Sequence, residues 1–238
     1  MINISIIIPV RNEAASIGVL AQELTAVMRR QAWPWECIWV DDGSTDGSLS
    51  ILRKLSVTDS HHRFIAFEHN AGQSAALWAG FKEAGGEMLA TIDGDGQNDP
   101  ADIPILADIV RLGKADMVNG YRAQRHDCVV RFFSSKIANA FRNMMTGKTV
   151  KDVGCSTRVF RRECVECLPQ FAGMHRFLPT LAAMQGFRLA EIPVNDRPRR
   201  QGQSKYGINN RLWVGLVDLA GVYWLRKRSL IYTIREKS

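Results

Sequence analysis

The 238-residue chain holds 31 Lys and Arg against 24 Asp and Glu, a formal net charge of +7, and is 46% hydrophobic and 23% charged. That composition excludes a disordered chain and supplies apolar material for a real core. The positive balance favours an anionic partner, whether nucleic acid, a phosphorylated metabolite or an anionic membrane face.

The opening MINISIIIPV has no basic leader and runs straight into Arg11-Asn12-Glu13, so it reads as a first strand over 4–10 and not as a signal peptide. Ile- and Val-rich runs at 37–41, 64–68, 88–93 and 115–119 read as further strands. Helical stretches are expected between them, near 13–31, 46–56, 72–85 and 100–112. The last begins at Asp99-Pro100-Ala101-Asp102, with Asp99 as cap, Pro100 in first position and Asp102 in the first turn. Such alternation predicts an α/β fold whose mainly parallel sheet is covered by helices on both faces. After about residue 125 Arg, Cys and aromatic residues become denser, and the second half reads as an elaboration on the sheet domain. Five cysteines, at 37, 128, 155, 164 and 167, show no disulfide-like spacing, which fits a reducing, cytosolic compartment.

The strand ends carry the chemistry. In TIDGDGQNDP, Asp93 and Asp95 follow an apolar run, and Gly94 and Gly96 let the backbone bring the two carboxylates together. Converging carboxylates repel unless a cation sits between them. A divalent ion there could neutralise a diphosphate, with Gln97 adding an amide oxygen or ordering a metal-bound water. The alternative is a polar turn or a calcium loop, but the spaced ligands and closing Glu of an EF-hand are missing. Asp41 and Asp42 end the second strand in CIWVDDGSTDGS, where a carboxylate can accept from a base N–H or a ribose hydroxyl. There too a plainer reading exists, an Asx-type turn and cap made by Asp42 and Ser44. The glycine motifs of dinucleotide and P-loop sites are absent.

IPVRNEAASI, VDDGSTDGS, NAGQSAALWAGFKEAGGEMLATIDGDGQNDP and the late RPRRQGQSKYG together resemble the family-2 glycosyltransferases. Within them they are most similar to the polyprenyl-phosphate group typified by dolichol-phosphate mannose synthase, over roughly residues 3–207. The resemblance implies a GT-A fold, a nucleoside diphosphate sugar donor, Mg²⁺ or Mn²⁺ and inversion at the anomeric carbon. It assigns donor binding to Pro9, Arg11, Glu13, Asp41, Asp42, Gly72, Asp93 and Gly94, and the metal to Asp93, Asp95 and Gln97. Arg199, Ser204 and Lys205 match a loop closing over the diphosphate, so Asp95, Arg199 and Lys205 are the expected catalytic set. Arg122, Arg131 and Ser135 match the acceptor-phosphate positions. The chain departs from the commonest pattern at Arg11, Gly94, Gly96 and Asn98.

The residues of the second half agree with that acceptor. A hydroxyl acceptor needs a general base, whereas a phosphate is already anionic and needs cations to hold it. Arg122, Arg131 beside Ser134 and Ser135, Arg158, Arg197, Arg199, Arg200 and Lys205 supply them at short intervals. Acidic strand ends would repel nucleic-acid phosphates, so no nucleic-acid partner is expected. Residues 212–225 are apolar apart from Asp218 and precede Arg226-Lys227-Arg228, which is too short for a spanning helix. With Trp213 and Trp224 near its ends, and Asp218 sharing a face with Gly215 and Gly221, the segment reads as an interfacial helix. FFSSKIANAFRNMM, residues 132–145, is a second amphipathic candidate; a pair of core helices is the competing reading. The expected organisation is a catalytic domain over 1–207 and a membrane-associating segment over 208–238. The enzyme would sit peripherally or monotopically on the cytoplasmic side of the plasma membrane, and an oligomer is compatible with this. A saccharide or other hydroxyl acceptor remains the alternative. Elsewhere, Cys164 and Cys167 form a lone C-x-x-C, His61 and His62 are expected to face solvent, and His175 either lines the acceptor site or packs at a helix start.

Overall fold

The computed structural model describes residues 2–123, 150–198, 208–228 and 236. Strands β1 (Ile4–Val10), β2 (Trp35–Asp41), β3 (His62–Ala66) and β4 (Met88–Thr91) alternate with helices α1 (Ala14–Met28), α2 (Ser48–Thr58) and α3 (Gln73–Glu83), and α4 (Asp102–Arg111) follows β4. β1 and β2 are apolar nearly throughout because both their faces are covered. Ile4, Ile6, Ile8 and Val10 enter one core with Ile17, Leu20 and Leu24 of α1 and Ile103 and Leu106 of α4. Ile7 points the other way, to Ala76, Leu77 and Phe81 of α3. The alternation of one strand thus separates the two layers of helices.

The second half does not merely elaborate the sheet; it completes it. Beyond β5 (Met117–Arg122), the strand expected at 115–119, it contributes β6 (Arg158–Arg161), a short helix α5 (Glu163–Glu166), a 3₁₀ turn (Met174–Arg176), α6 (Leu178–Met184), β7 (Leu189–Val194) and α7 (Ile208–Arg228). The seven strands run in the order β3-β2-β1-β4-β6-β5-β7. β6 is antiparallel to both neighbours, pairing Thr91 with Arg158 on one side and Asn119 with Arg158 on the other. The other pairs are parallel. β6 is short and has Arg at both ends, so its two apolar residues, Val159 in one core and Phe160 in the other, give no readable periodicity.

Two local expectations change. The helix after Asp99 starts two residues later than expected: Asp99 caps a preceding turn through Ala101 N–H at 3.0 Å, and α4 begins at Asp102. Asp102 accepts the Asn195 N–H at 2.9 Å and so ties α4 to the end of β7. His62 does not face solvent. It opens β3 buried between the Trp39 indole N–H, which donates to Nδ1 at 3.0 Å, and the Thr25 hydroxyl, 2.8 Å from Nε2. His61 is the more exposed of the pair and stacks on Trp35.

α7 is both core and surface. Leu219 and Val222 are buried with Phe177, Leu178 and Leu181, whereas Val217, Tyr223 and Trp224 are exposed. Gly221 is on the exposed side, away from the inward Asp218. No helix among the described residues is long and apolar enough to cross a membrane. The candidate segment 132–145 lies outside the described residues.

Candidate active site

Because β1, β2, β4 and β5 are parallel and β6 runs against them, the C-terminal ends of four strands and the start of β6 share one edge of the sheet. Ligands of open α/β sheets bind at that edge.

The loops after β1 and β2 are braced against each other. Asn12, with φ +53, donates its N–H to Ser44 Oγ at 2.9 Å and accepts the Thr45 N–H on Oδ1 at 2.8 Å. Ser48 Oγ accepts the Glu13 N–H at 2.9 Å. Asp46 accepts Ser48 N–H on Oδ1 and Ala14 N–H on Oδ2, so one carboxylate serves the starts of α2 and α1. Asp41, at the end of β2, accepts from the Ser44 hydroxyl and N–H. The Asx-type turn therefore belongs to Asp41. Asp42 instead reaches across to the start of α3, accepting Ala71 N–H at 2.6 Å and Gly72 N–H at 3.0 Å. Gly72 has φ +91, a backbone that favours glycine, and this lets both amides turn toward one carboxylate. Pro9, Arg11, Glu13, Asp41, Asp42 and Gly72 thus lie on adjoining strand ends and loops.

The Asp93–Asn98 loop is set by close packing and by side-chain hydrogen bonds. At Gly94 a Cβ would strike the Val10 side chain and come within 3.0 Å of the Pro9 carbonyl oxygen, so glycine lets this loop lie on the end of β1. Asn98 Oδ1 accepts both the Asp93 N–H and the Ser156 hydroxyl, each at 2.8 Å. Asp95 Oδ1 accepts the Gln97 N–H at 3.1 Å, and Asp93 Oδ1 accepts the Gln73 side-chain amide at 2.9 Å. Desolvation, followed by the Asp95 charge, pushes the Asp93 carboxyl above its ordinary range; a Ser156 hydrogen bond and the charges of Arg158 and Arg122 act against this. Among the described residues no cluster of three His, Cys, Asp or Glu side chains is present. Asp93, Asp95 and Gln97 offer two carboxylates and an amide, a donor set suited to a hard cation whose remaining ligands are water and substrate phosphate.

The described basic residues are partly committed. Arg122 forms a fork with Asp152, and Arg197 pairs with Glu23 and Asp99. Arg158 is 4% exposed; its guanidinium donates to Asn119 Oδ1 at 2.9 Å and to the carbonyls of His175 and Val153 at 2.8 and 2.7 Å. Burial pulls Arg158 down from its ordinary value, while the charges of Cys155, Asp93 and Asp152 oppose this. The segment leading toward Arg199 is stitched to the aspartate loop: Asn98 bridges Asp196, and the Arg197 N–H donates to the Gln97 carbonyl at 2.9 Å. Arg131, Ser135, Arg199, Ser204 and Lys205 lie outside the described residues. His175 packs at the start of α3, its Nδ1 2.7 Å from Ser74 Oγ.

Sequence reasoning assigned no role to Gln73, Ser156, Asn98 or Asp152, all of which hold this site together. Gln73 and Asn98 stood inside quoted motifs, but an amide supporting a neighbouring carboxylate has no spacing rule. Asp152 is separated from Arg122 by thirty positions. The thiols of Cys164 and Cys167 are both pushed up by burial, and they accompany no metal cluster among the described residues.

Residues 5–169 match the glycosyl transferase family 2 profile. Dodecaprenyl-phosphate galacturonate synthase of Rhizobium johnstonii is 34% identical over 96% of this chain and 69% of its own length. Undecaprenyl-phosphate 4-deoxy-4-formamido-L-arabinose transferase of Pectobacterium carotovorum is 38% identical over 86% of this chain, but the match covers only 62% of that protein. This chain therefore spans under two thirds of the second relative and little more of the first. Glucosyl-3-phosphoglycerate synthase of Mycobacterium tuberculosis, solved with Mn²⁺, UDP-glucose and phosphoglyceric acid, superposes with a TM-score of 0.67 at 20% identity over 94% of this chain and 79% of that one, a likeness of GT-A-type fold. On the strength of the profile match and these relatives, the chain belongs to glycosyl transferase family 2.

Proposed function

We propose that this protein is an inverting glycosyltransferase that moves a sugar from a nucleoside diphosphate sugar to a polyprenyl phosphate at the cytoplasmic membrane face. The observation that carries this reading is the meeting of the Asp93–Asp95 loop with the braced β1 and β2 loops at one sheet edge, in a chain whose curated relatives are named for polyprenyl-phosphate products or substrates. The nucleoside would lie over Pro9, Arg11, Glu13, Asp41 and Asp42. Asp93 and Asp95, with Gln97, would hold Mg²⁺ or Mn²⁺. When bound, such a cation supplies positive charge to the departing diphosphate.

The chain's own groups do the rest. Gln73 and Asn98 fix the Asp93 segment, so the carboxylates need little reorganisation when the donor arrives. Arg199 and Lys205 would close over the diphosphate, and the anchored Asn195–Arg197 segment brings the chain toward the aspartate loop. Arg122, Arg131 and Ser135 would receive the acceptor phosphate, whose oxygen attacks without a protein base because it is already anionic. The exposed apolar side of α7, beside Arg226, Lys227 and Arg228, would lie on an anionic lipid surface. Catalytic unit and membrane segment would then meet within α7, since its other side is buried.

Thermal shift against a panel of nucleotide sugars with Mg²⁺ or Mn²⁺ tests the donor half. One nucleoside diphosphate sugar should raise the Tm only with metal present, and Asp95→Asn should remove that shift. A panel that gives no metal-dependent shift contradicts the reading.

A further inference from the structure

Asp218 is the acidic residue within the otherwise apolar stretch of α7, and its side chain is 12% exposed. Burial pushes its carboxyl above the ordinary range, against the opposing charge of Arg176. A helix that only rested on lipid would have no use for an inward acid, and burying a carboxylate is costly unless it is paired. Its partners explain its place. Arg176 Nη1 is 3.3 Å from Asp218 Oδ2. Gly173, with φ +97, lies so close that a Cβ there would collide with the Asp218 carboxylate.

The turn held in this way reaches the active-site edge. Gly173 N–H and His175 N–H both donate to Ser74 Oγ, at 3.0 and 3.4 Å. With both acceptor positions of the hydroxyl used, its proton is directed at His175 Nδ1, 2.7 Å away. Ser74 is the second residue of α3, and Gln73, the first, donates to Asp93. Leu219 and Val222, adjoining Asp218 on α7, share a core with Phe177, Leu178 and Leu77.

We propose that Asp218 is a positioning residue for the aspartate loop: with Arg176 it clamps the Gly173–His175 turn onto Ser74 and so holds Gln73 against Asp93. Its functional meaning rests on the reading of Asp93 as a ligand of the donor's cation; the clamp itself does not. Helix α7 is then part of the catalytic unit and not a detachable anchor.

Amide hydrogen exchange on the full chain tests the clamp. Asp218→Ala should speed exchange at Ala71, Gly72, Gly173 and His175 about tenfold, the scale of one lost charged hydrogen bond. Leu52→Ala, buried in the other core, should lower the Tm and leave those four amides unchanged. If Asp218→Ala does not fold, Arg176→Gln breaks the same pair from its more exposed side. Unchanged amides, or equal acceleration by Leu52→Ala, overturn the clamp. Mn²⁺ affinity, read by water-proton relaxation, should fall about fivefold in Asp218→Ala. That loss should vanish in a Gln73→Ala background, as coupled residues require. If Asp93→Asn abolishes Mn²⁺ binding while Asp218→Ala leaves it intact, the positioning role is overturned. If the amides respond but Mn²⁺ binding ignores Asp93→Asn as well, the cation reading of Asp93 fails and the clamp stands.

Discussion

Arg122 and Asp152 meet as a two-point fork, Nε to Oδ2 at 2.8 Å and Nη2 to Oδ1 at 3.1 Å, joining the end of β5 to the chain that leads into β6. An arginine expected to await a phosphate is therefore already fixed by a carboxylate. Hydrogen bonds to charged groups contribute about 1.5–3 kcal/mol each. Arg122→Ala and Asp152→Ala should each cost stability in that range, and the double variant should cost far less than the sum. Urea unfolding of the three variants checks this, and an Asp152→Ala protein as stable as wild type would show the fork to be inconsequential.

His62 gives the fold an acid limit. Burial lowers its pKa from 6.5 to about 4, and the indole N–H of Trp39 requires an unprotonated Nδ1. The unfolded chain binds this proton more readily, so the contribution is fully present above pH 6.5 and is lost as pH falls from 6.5 toward 4. At 1.36 kcal/mol per pH unit the ceiling is about 3 kcal/mol, and the real loss should be smaller. His62→Gln should flatten the stability profile between pH 6.5 and 4, measured by denaturant unfolding; an unaltered slope contradicts the assignment.

Much of this could be read from the chain itself, for identifiable reasons. β1 and β2 announce themselves because both faces are buried, and the Asp93–Asp95 segment because two carboxylates interleaved with Gly94 and Gly96 end an apolar run. β6 was illegible because two apolar residues flanked by Arg carry no period, and β7 because its residues are mostly only half-buried. His62 looked solvent-facing amid polar neighbours, since the Trp39 and Thr25 that enclose it are distant in sequence. The same blindness hid Gln73 on Asp93 and Asp152 on Arg122. Local pattern reveals which elements form, and side-chain partners depend on how those elements meet.

Membrane attachment calls for substitutions and not truncation. Removing residues 212–238 would also remove Leu219 and Val222 from the core, so loss of vesicle binding in such a variant would prove little. Val217→Ser with Trp224→Ser changes only exposed positions. The pair should weaken partitioning onto phosphatidylglycerol vesicles about tenfold, equivalent to 1.4 kcal/mol, without lowering the Tm. Wild-type protein should be released only partly by salt, because apolar burial survives when charge is screened. Complete release by salt contradicts an apolar contact.

Transfer of a radiolabelled sugar from its nucleoside diphosphate, offered polyprenyl phosphate and a soluble saccharide together with Mg²⁺ or Mn²⁺, tests the central claim most directly. The account predicts label in an organic-phase lipid-phosphate product, and a loss of at least about a hundredfold, roughly 2.7 kcal/mol, in Asp95→Asn. Faster labelling of the saccharide hydroxyl than of the lipid phosphate, or an Asp95→Asn rate within about threefold of wild type, roughly 0.7 kcal/mol, would contradict it.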